Sequence, residues 1–288
     1  MKIYILIINY KTEDLIGDAV RSFKEKNVDT HIIILDNGST EESYNALRNA
    51  IGEEIEVIRN EKNLGYSAGA NYMAKYMQKT YDDAEYIFFF NPDAIATENM
   101  LGTLYQTLST YPNAAAVSPL LYDMDGEIEF NGMEIDWKGC MIHNISHNLE
   151  HPNKMREIDS FHGCAVLIDA NKFFEVGMFL EDLFIYYDEP FLSMEFKAKG
   201  YICLYEPSTE VYHHGSHSAG QDSPFKNHLL TRNHIMFFKK HGTSKRFLCA
   251  YLKPLRMVIY YLKRLNFESI KAIAIGIIDA LKGKTGAP

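Results

Sequence analysis

Three short apolar runs near the start of the chain, Ile3 to Ile8, His31 to Leu35 and Tyr86 to Phe90, each end in polar turn formers. Those endings are Asn9-Tyr10, Asp36-Asn37-Gly38-Ser39 and Asn91-Pro92-Asp93. Apolar runs of this length bounded by such turns predict buried strands. Between the first two, Leu15, Ala19, Val20 and Phe23 recur at helical spacing. The resulting β-α-β rhythm predicts an α/β fold with a mostly parallel sheet and right-handed crossovers. Glu56-Val57-Ile58 predicts a short fourth strand. The small residues from Asn63 to Asn71, Gly65 among them, predict a tight turn feeding a helix that runs to about Lys79. No G-x-G-x-x-G follows the first strand, which argues against a dinucleotide site.

Ligands of open α/β sheets bind beyond the carboxyl ends of the strands, and Asn91-Pro92-Asp93 stands at such an end. A hard divalent cation, Mg²⁺ or Mn²⁺, carrying a nucleotide diphosphate needs oxygen ligands, and a short D-x-D-like turn can present two polar side chains to it. An ordinary turn with Pro92 fixing φ is the alternative. Asp188-Glu189 follows the aromatic run Phe184 to Tyr187, and aromatic surroundings raise a carboxyl pKa toward that of a working general base. Its alternative is a capping pair for a helix over 190–199, with Pro190 at the start. His213-His214-Gly215 follows a strand-like stretch, and imidazole suits Mn²⁺; a hydrogen-bonded structural histidine is the other reading. His143, His147 and His151 have i, i+4, i+8 spacing, but Asn144, Asn148 and Pro152 predict an irregular polar insertion over about 123–158 rather than a zinc site.

Taken in order, these motifs resemble glycosyltransferase family 2, of GT-A fold, and within it the rhamnosyltransferase-like branch that builds bacterial surface polysaccharides. The resemblance spans about residues 1–241. It also rests on Asn63-Leu64-Gly65-Tyr66, His162-Gly163-Cys164-Ala165, Gly200-Tyr201 and Arg232-Asn233. It implies a nucleotide-binding half continuous with an acceptor-side half, and inverting transfer from a nucleotide-sugar donor, dTDP-rhamnose or a UDP-hexose, to a glycan or lipid-linked acceptor. It implies that Asp36 accepts hydrogen bonds from a pyrimidine imide, that Asn63 and Asn71 lie near base and ribose, and that Asn9, Gly65 and Asn91 border the donor. It further implies that Gly163 lines the sugar pocket through close backbone approach, that Asp93 and His213 hold the metal, and that Glu189 is the base with Asp188 in support. The family's usual order in that dipeptide is inverted here, which leaves the choice between the two open. The chain departs again on the next helix, where Phe191 and Glu195 replace the family's aspartate and arginine. Arg232-Asn233 is a candidate phosphate contact, with packing as the alternative.

Composition bounds the rest. A chain of 288 residues, 47% hydrophobic, suffices for one large core, so we divide it into 1–242, with halves 1–94 and 95–242, and a tail 243–288. No repeat or low-complexity linker interrupts it. The tail from Lys245 carries nine basic residues against two acidic ones, +7, leaving −16 on the remainder of a chain whose net charge is −9. Its apolar stretches are broken by Lys253, Pro254 and Arg256, which predicts amphipathic helices on an anionic membrane surface, or packed on the catalytic body or a second subunit, rather than a membrane span. An acidic body without a basic groove argues against nucleic acid. Four cysteines without C-x-x-C spacing, and a strand from Ile3 with no leader pattern, predict a reduced, cytoplasmic protein, peripheral on the inner face of the membrane, with room for a homo-oligomer. Two rivals are a sugar nucleotidyltransferase, which needs a Gly-rich triphosphate loop absent from Ile7-Ile8-Asn9-Tyr10-Lys11-Thr12, and a catalytically silent scaffold, which has no need of Asp93 or of the Asp188-Glu189 pair.

Overall fold

In the computed structural model, which describes residues 2–145, 154–215, 223–243 and 247–287, the first apolar runs form β1 (Lys2–Asn9), β2 (Asp29–Asn37), β3 (Glu56–Asn60) and β4 (Tyr86–Phe90). All four lie parallel in the order β3-β2-β1-β4. Parallel neighbours need crossover connections, supplied by α1 (Glu13–Ser22), α2 (Glu41–Ile51) and α3 (Gly65–Thr80). Ile5, Leu6, Ile33, Ile34, Phe88 and Phe89 are buried whichever way they point, because helices cover both faces of the sheet. Continuous rather than alternating apolar runs follow from that double burial. Thr40 caps α2 by accepting from Ser43 N (3.3 Å).

The sheet continues without interruption. After β5 (Ala94–Ala96) and α4 (Met100–Thr110) come β6 (Ala114–Asp123), β7 (Ile128–Phe130), β8 (Met133–Asp136), β9 (Met141–Asn144), β10 (Arg156–Ile158) and β11 (Ala165–Asp169). Then follow α5 (Ala170–Glu175), α6 (Asp188–Ala198) and β12 (Ile202–His213). Strand β11 inserts antiparallel between β4 and β6, and β12 runs parallel to β6 with a register shift between Glu206 and Glu210. The insertion expected to be irregular contains β7 to β10, with β8 and β9 forming a separate antiparallel pair. His143 is exposed on β9, while His147 and His151 lie outside the described residues.

The last segment is helical: α7 (Pro224–His241), α8 (Leu252–Lys263) and α9 (Phe267–Lys282). Helix α9 approaches α7 closely at Gly276, where a Cβ would stand 2.6 Å from His228 O. His228 Nε2 pairs with Asp279 Oδ2 (3.0 Å), and Tyr261 Oη donates to Asn227 Oδ1 (3.3 Å). Among the described residues no helix is long and apolar enough to cross a membrane. One expectation is overturned here. Cys140 and Cys249 form a disulfide with Cα atoms 5.7 Å apart, whereas Cys164 and Cys203 remain buried thiols. The pair is separated by 109 residues, so no local spacing signals it.

Candidate active site

Order along the sheet reverses at β1, whose neighbours are β2 on one side and β4 on the other. The loops after β1 and β4 therefore diverge and open a crevice at the carboxyl edge. Asn9 and Asp36 are register partners at the ends of β1 and β2, and both are fully buried. Asp36 Oδ2 lies 3.2 Å from Arg59 Nε, and the Arg59 guanidinium stacks 4.4 Å from the Tyr44 ring centre. Beyond that ion pair, no hydrogen-bond donor satisfies either oxygen of Asp36, and Asn9 Nδ2 has no acceptor. Leaving a buried polar atom unpaired costs about 1–3 kcal/mol. Two such residues side by side make a cradle for a polar ligand.

The neighbouring asparagines differ. Asn37 Nδ2 donates to Asn63 Oδ1 (3.1 Å), which also accepts from Gly65 N (2.8 Å). Asn71 donates to Phe179 O (2.9 Å) and Glu181 Oε1 (3.0 Å) and accepts from Phe179 N (3.0 Å). The Asn71 amide thus fastens the 179–181 segment to α3, and Asn63 closes the turn before it. Gly65 has φ +78°, and a Cβ there would strike Phe184 O.

Asp93 and His213 converge from β4 and β12. His213 Nε2 stands 3.3 Å from Asp93 Oδ1 and 3.5 Å from Asn91 Nδ2. On its other side His213 Nδ1 pairs with Glu129 Oε2 (2.8 Å) on β7. His214 N donates to Asp93 O (2.9 Å), so the two ends are stitched by backbone as well. Burial opposes charge on His213, but Cys164, Asp93 and Glu129 outweigh it and hold the imidazole above the ordinary histidine range. Burial pushes the Cys164 thiol up, which keeps it neutral, so the two carboxylates carry that effect. His162, its ring 6.1 Å from that of His213, is pushed down to about 4 by burial and by His213. Among the described residues no set of three or more His, Cys, Asp or Glu is arranged to hold a metal. Asp93 and His213 would nevertheless fit a divalent cation that brings further oxygen ligands with a diphosphate and displaces the proton from His213 Nε2. A carboxylate on the far nitrogen of a ligating histidine is the usual way its tautomer is set, and Glu129 provides it.

The two acidic residues expected to act together occupy the first turn of α6. Asp188 is 2% exposed and accepts from Ser67 Oγ. Glu189 is half-buried and accepts from Gly163 N (3.1 Å), while Tyr66 Oη donates to Gly163 O (3.1 Å). A Cβ on Gly163 would collide with Glu189 Oε1. Burial raises the pKa of both carboxyls above the ordinary range, and the Asp188 charge raises Glu189 further. The N-cap position of α6 is Tyr187, which makes no side-chain cap, and the two carboxyls lie inside the helix's first turn.

The segment leading into this pair is strained. Phe184, Tyr186 and Tyr187 have φ of +69°, +71° and +69°, a region costly for non-glycine residues. Asn233 Nδ2 holds it by lying within hydrogen-bond distance of Leu183 O (3.2 Å), Ile185 O (2.9 Å) and Tyr186 O (2.8 Å). Arg232, fully buried, donates to Leu183 O (2.8 Å) and Gly286 O (2.6 Å). Packing is therefore the role of Arg232-Asn233 here, and their guanidinium and amide are consumed by backbone. Phe191 stacks edge-on against Phe237, and Glu195 pairs with Lys240 (2.7 Å), so neither points a charge at the crevice. Glu129, Ser67, Tyr66 and Arg59 are contributors that sequence reasoning missed. The I-E-F alternation at 128–130 is the only local signal for Glu129.

The glycosyl transferase family 2 profile matches residues 4–181. A Mycobacterium tuberculosis N-acetylglucosaminyl-diphospho-decaprenol L-rhamnosyltransferase is 24% identical over 214 residues, covering 66% of this chain and 68% of the relative. The Haloferax volcanii low-salt glycan biosynthesis hexosyltransferase Agl10 is 24% identical over 298 residues, covering 99% and 92%. In the solved structure of the Pyrobaculum calidifontis mannosyltransferase PcManGT with GDP-Man and Mn²⁺, the fold matches at TM-score 0.61 and 11% identity, over 98% of this chain and 87% of that one. GalNAc-T7 with UDP, GalNAc and Mn²⁺ matches at TM-score 0.60 and 16% identity, over 83% and 48%. The architecture is that of the GT-A glycosyltransferases.

Proposed function

The chain belongs to glycosyl transferase family 2, and from that premise we propose that it is an inverting, metal-dependent glycosyltransferase of bacterial surface polysaccharide synthesis. It moves a sugar from dTDP-rhamnose or a UDP-hexose to a glycan or lipid-linked acceptor. The pairing of Asp93 with His213 at 3.3 Å, with Glu129 on the far ring nitrogen, is the observation that carries this reading. These two residues would hold Mg²⁺ or Mn²⁺, which when bound offsets the charge of the leaving nucleoside diphosphate. Relatives and fold neighbours support the reading, being named for rhamnosyl and hexosyl transfer and, in two structures, for nucleotide or nucleotide sugar with Mn²⁺.

Residues 1–94 then form the donor half and 95–242 the acceptor half. Asp36 accepts from the base imide and Asn9 Nδ2 donates to the donor, each filling a hydrogen bond the protein leaves unmade. Asn91 and Gly65 border the donor, Asn91 also orienting His213 and Gly65 admitting the Phe184 carbonyl. Glu189 is the base. It is the more accessible of the two carboxyls, its pKa is raised toward neutrality, and Gly163 N–H aims it. Asp188, locked to Ser67, keeps a second negative charge beside Glu189 and so strengthens it. In a direct displacement Glu189 takes the acceptor hydroxyl proton as the acceptor oxygen bonds to the anomeric carbon, and the bond to the diphosphate oxygen breaks. We place the reaction on the cytoplasmic side of the cell membrane, where nucleotide sugars are made.

Calorimetric binding of a panel of UDP-, dTDP- and GDP-sugars, with Mn²⁺ or with chelator, tests this on the parent and on Asp93→Ala. Binding of one donor that needs metal and Asp93 is the expected result. Binding of none would leave the silent scaffold as the better reading, and equal binding by Asp93→Ala would remove the metal from the scheme.

A further inference from the structure

We infer that the outer faces of α8 and α9 dock on an anionic lipid bilayer. Eleven of the fourteen large hydrophobic residues that are well exposed among the described residues lie between Leu248 and Leu281. A monomer has no reason to concentrate its exposed apolar surface in one short segment unless that surface meets something. On α8 the exposed residues Leu252, Leu255, Ile259 and Leu262 recur every three or four positions, which aligns them along one side of the helix. Arg256 and Lys263 are exposed on the same turns. Helix α9 repeats the arrangement with Ile275, Ile278 and Leu281 beside Lys271 and Lys282. An apolar stripe flanked by cations, on helices too short to span a bilayer, has the chemistry of an interfacial anchor.

Charge selects the occupant. The tail carries +7 while the rest of the chain carries −16, so anionic headgroups attract this face and repel the opposite one. Two copies meeting face to face would instead oppose like charges. The helices are also fixed to the catalytic body. Cys249 is bonded to Cys140, His228 holds Asp279, and Gly286 exchanges hydrogen bonds with Arg232 and with Asp182 O (2.7 Å). Docking through them would therefore orient the crevice relative to the lipid, not merely tether the protein. The inference stands on the tail alone and does not need the transferase reading.

Flotation with vesicles of phosphatidylcholine, with and without phosphatidylglycerol, tests it at low and high salt. The full chain is compared with Leu255→Glu/Ile259→Glu and Arg256→Glu/Lys263→Glu, all of them solvent-facing changes, with circular dichroism and donor binding measured alongside. The parent should float only with the anionic vesicles, and less at high salt. The charge variant should bind them more weakly by at least about fivefold for each basic residue lost, and the apolar variant should bind weakly even at low salt. Flotation that is absent, or equal for parent and variants, would overturn the inference. So would a concentration-dependent dimer abolished by Leu255→Glu/Ile259→Glu, since a second copy would then be what covers the face. Intact donor binding in variants that fail to float would keep the two readings separate.

Discussion

As the proposed base, Glu189 is held under two opposed demands: it would have to ionise to take a proton, and its surroundings penalise the ionised form. Its folded pKa lies above the unfolded value, so the folded state retains the proton longer. The stability linked to that proton is full below the unfolded carboxyl pKa and is lost as pH rises through the folded one. Glu189→Gln should accordingly raise the melting temperature above neutrality, with the gain shrinking through mild acid and vanishing below the unfolded carboxyl pKa, as read by thermal scans across pH. In the same variant kcat should fall by about 10²- to 10⁴-fold with donor Kd unchanged. In the parent, the rate should climb with pH through the raised carboxyl pKa and then level off. At the proposed cation pair, Asp93 and His213, the signature differs: His213→Ala should weaken donor binding in Mn²⁺ to the level the parent shows in chelator, by calorimetry. The candidates Asp93, Asp188 and Glu189 were legible because each follows an apolar or aromatic run at an element end. Asn71 and Arg232 show the limit, since polar residues that grip backbone look the same in sequence as residues that grip ligand.

At the scale of elements, the segment 183–187 is a strained strap pinned by α7. A single amide on Asn233 lies within hydrogen-bond distance of three carbonyls beside the left-handed residues, while Arg232 and the Tyr66 N–H hold the Leu183 and Phe184 carbonyls. Asn233→Ala should cost about 1–3 kcal/mol by denaturant unfolding. It should also lower kcat more than it changes donor Kd, because Glu189 follows the strap directly. The inner parallel strands β1, β2 and β4 were legible because burial of both faces writes continuous apolar runs into the chain, while the short edge strand β3, nowhere fully buried, was legible from its Val57-Ile58 pair alone. Strand β7 and its neighbours were not. Three- and four-residue strands in a polar insertion carry too little period to be read, and their pairing with β6 and with each other is made by tertiary contact.

For the whole molecule, the tail is part of the frame that holds the site. The Cys140–Cys249 bond closes a loop of 109 residues between the insertion and the helices, and cross-linking over such a distance typically stabilises by about 2–4 kcal/mol. Cys249→Ser should lose that amount in denaturant unfolding, and a reducing agent should destabilise the parent to the same level while leaving the variant unaffected. The expectation of unpaired, reduced thiols failed because cysteine spacing reports only local pairing.

By itself the sequence determined what depends on near neighbours: the period of each strand and helix, the turn chemistry at their ends, the carboxylates those ends expose, and the basic bias of the tail. Only the tertiary structure decided which ends meet. His213 finds Glu129 across 84 positions and Asp188 finds Ser67 across 121, because β11 inserts between β4 and β6 and β12 returns beside β6. Side-chain periodicity records which face of an element is buried, not what it is buried against. The order of strands in the sheet supplies that partner, and with it the geometry of the site.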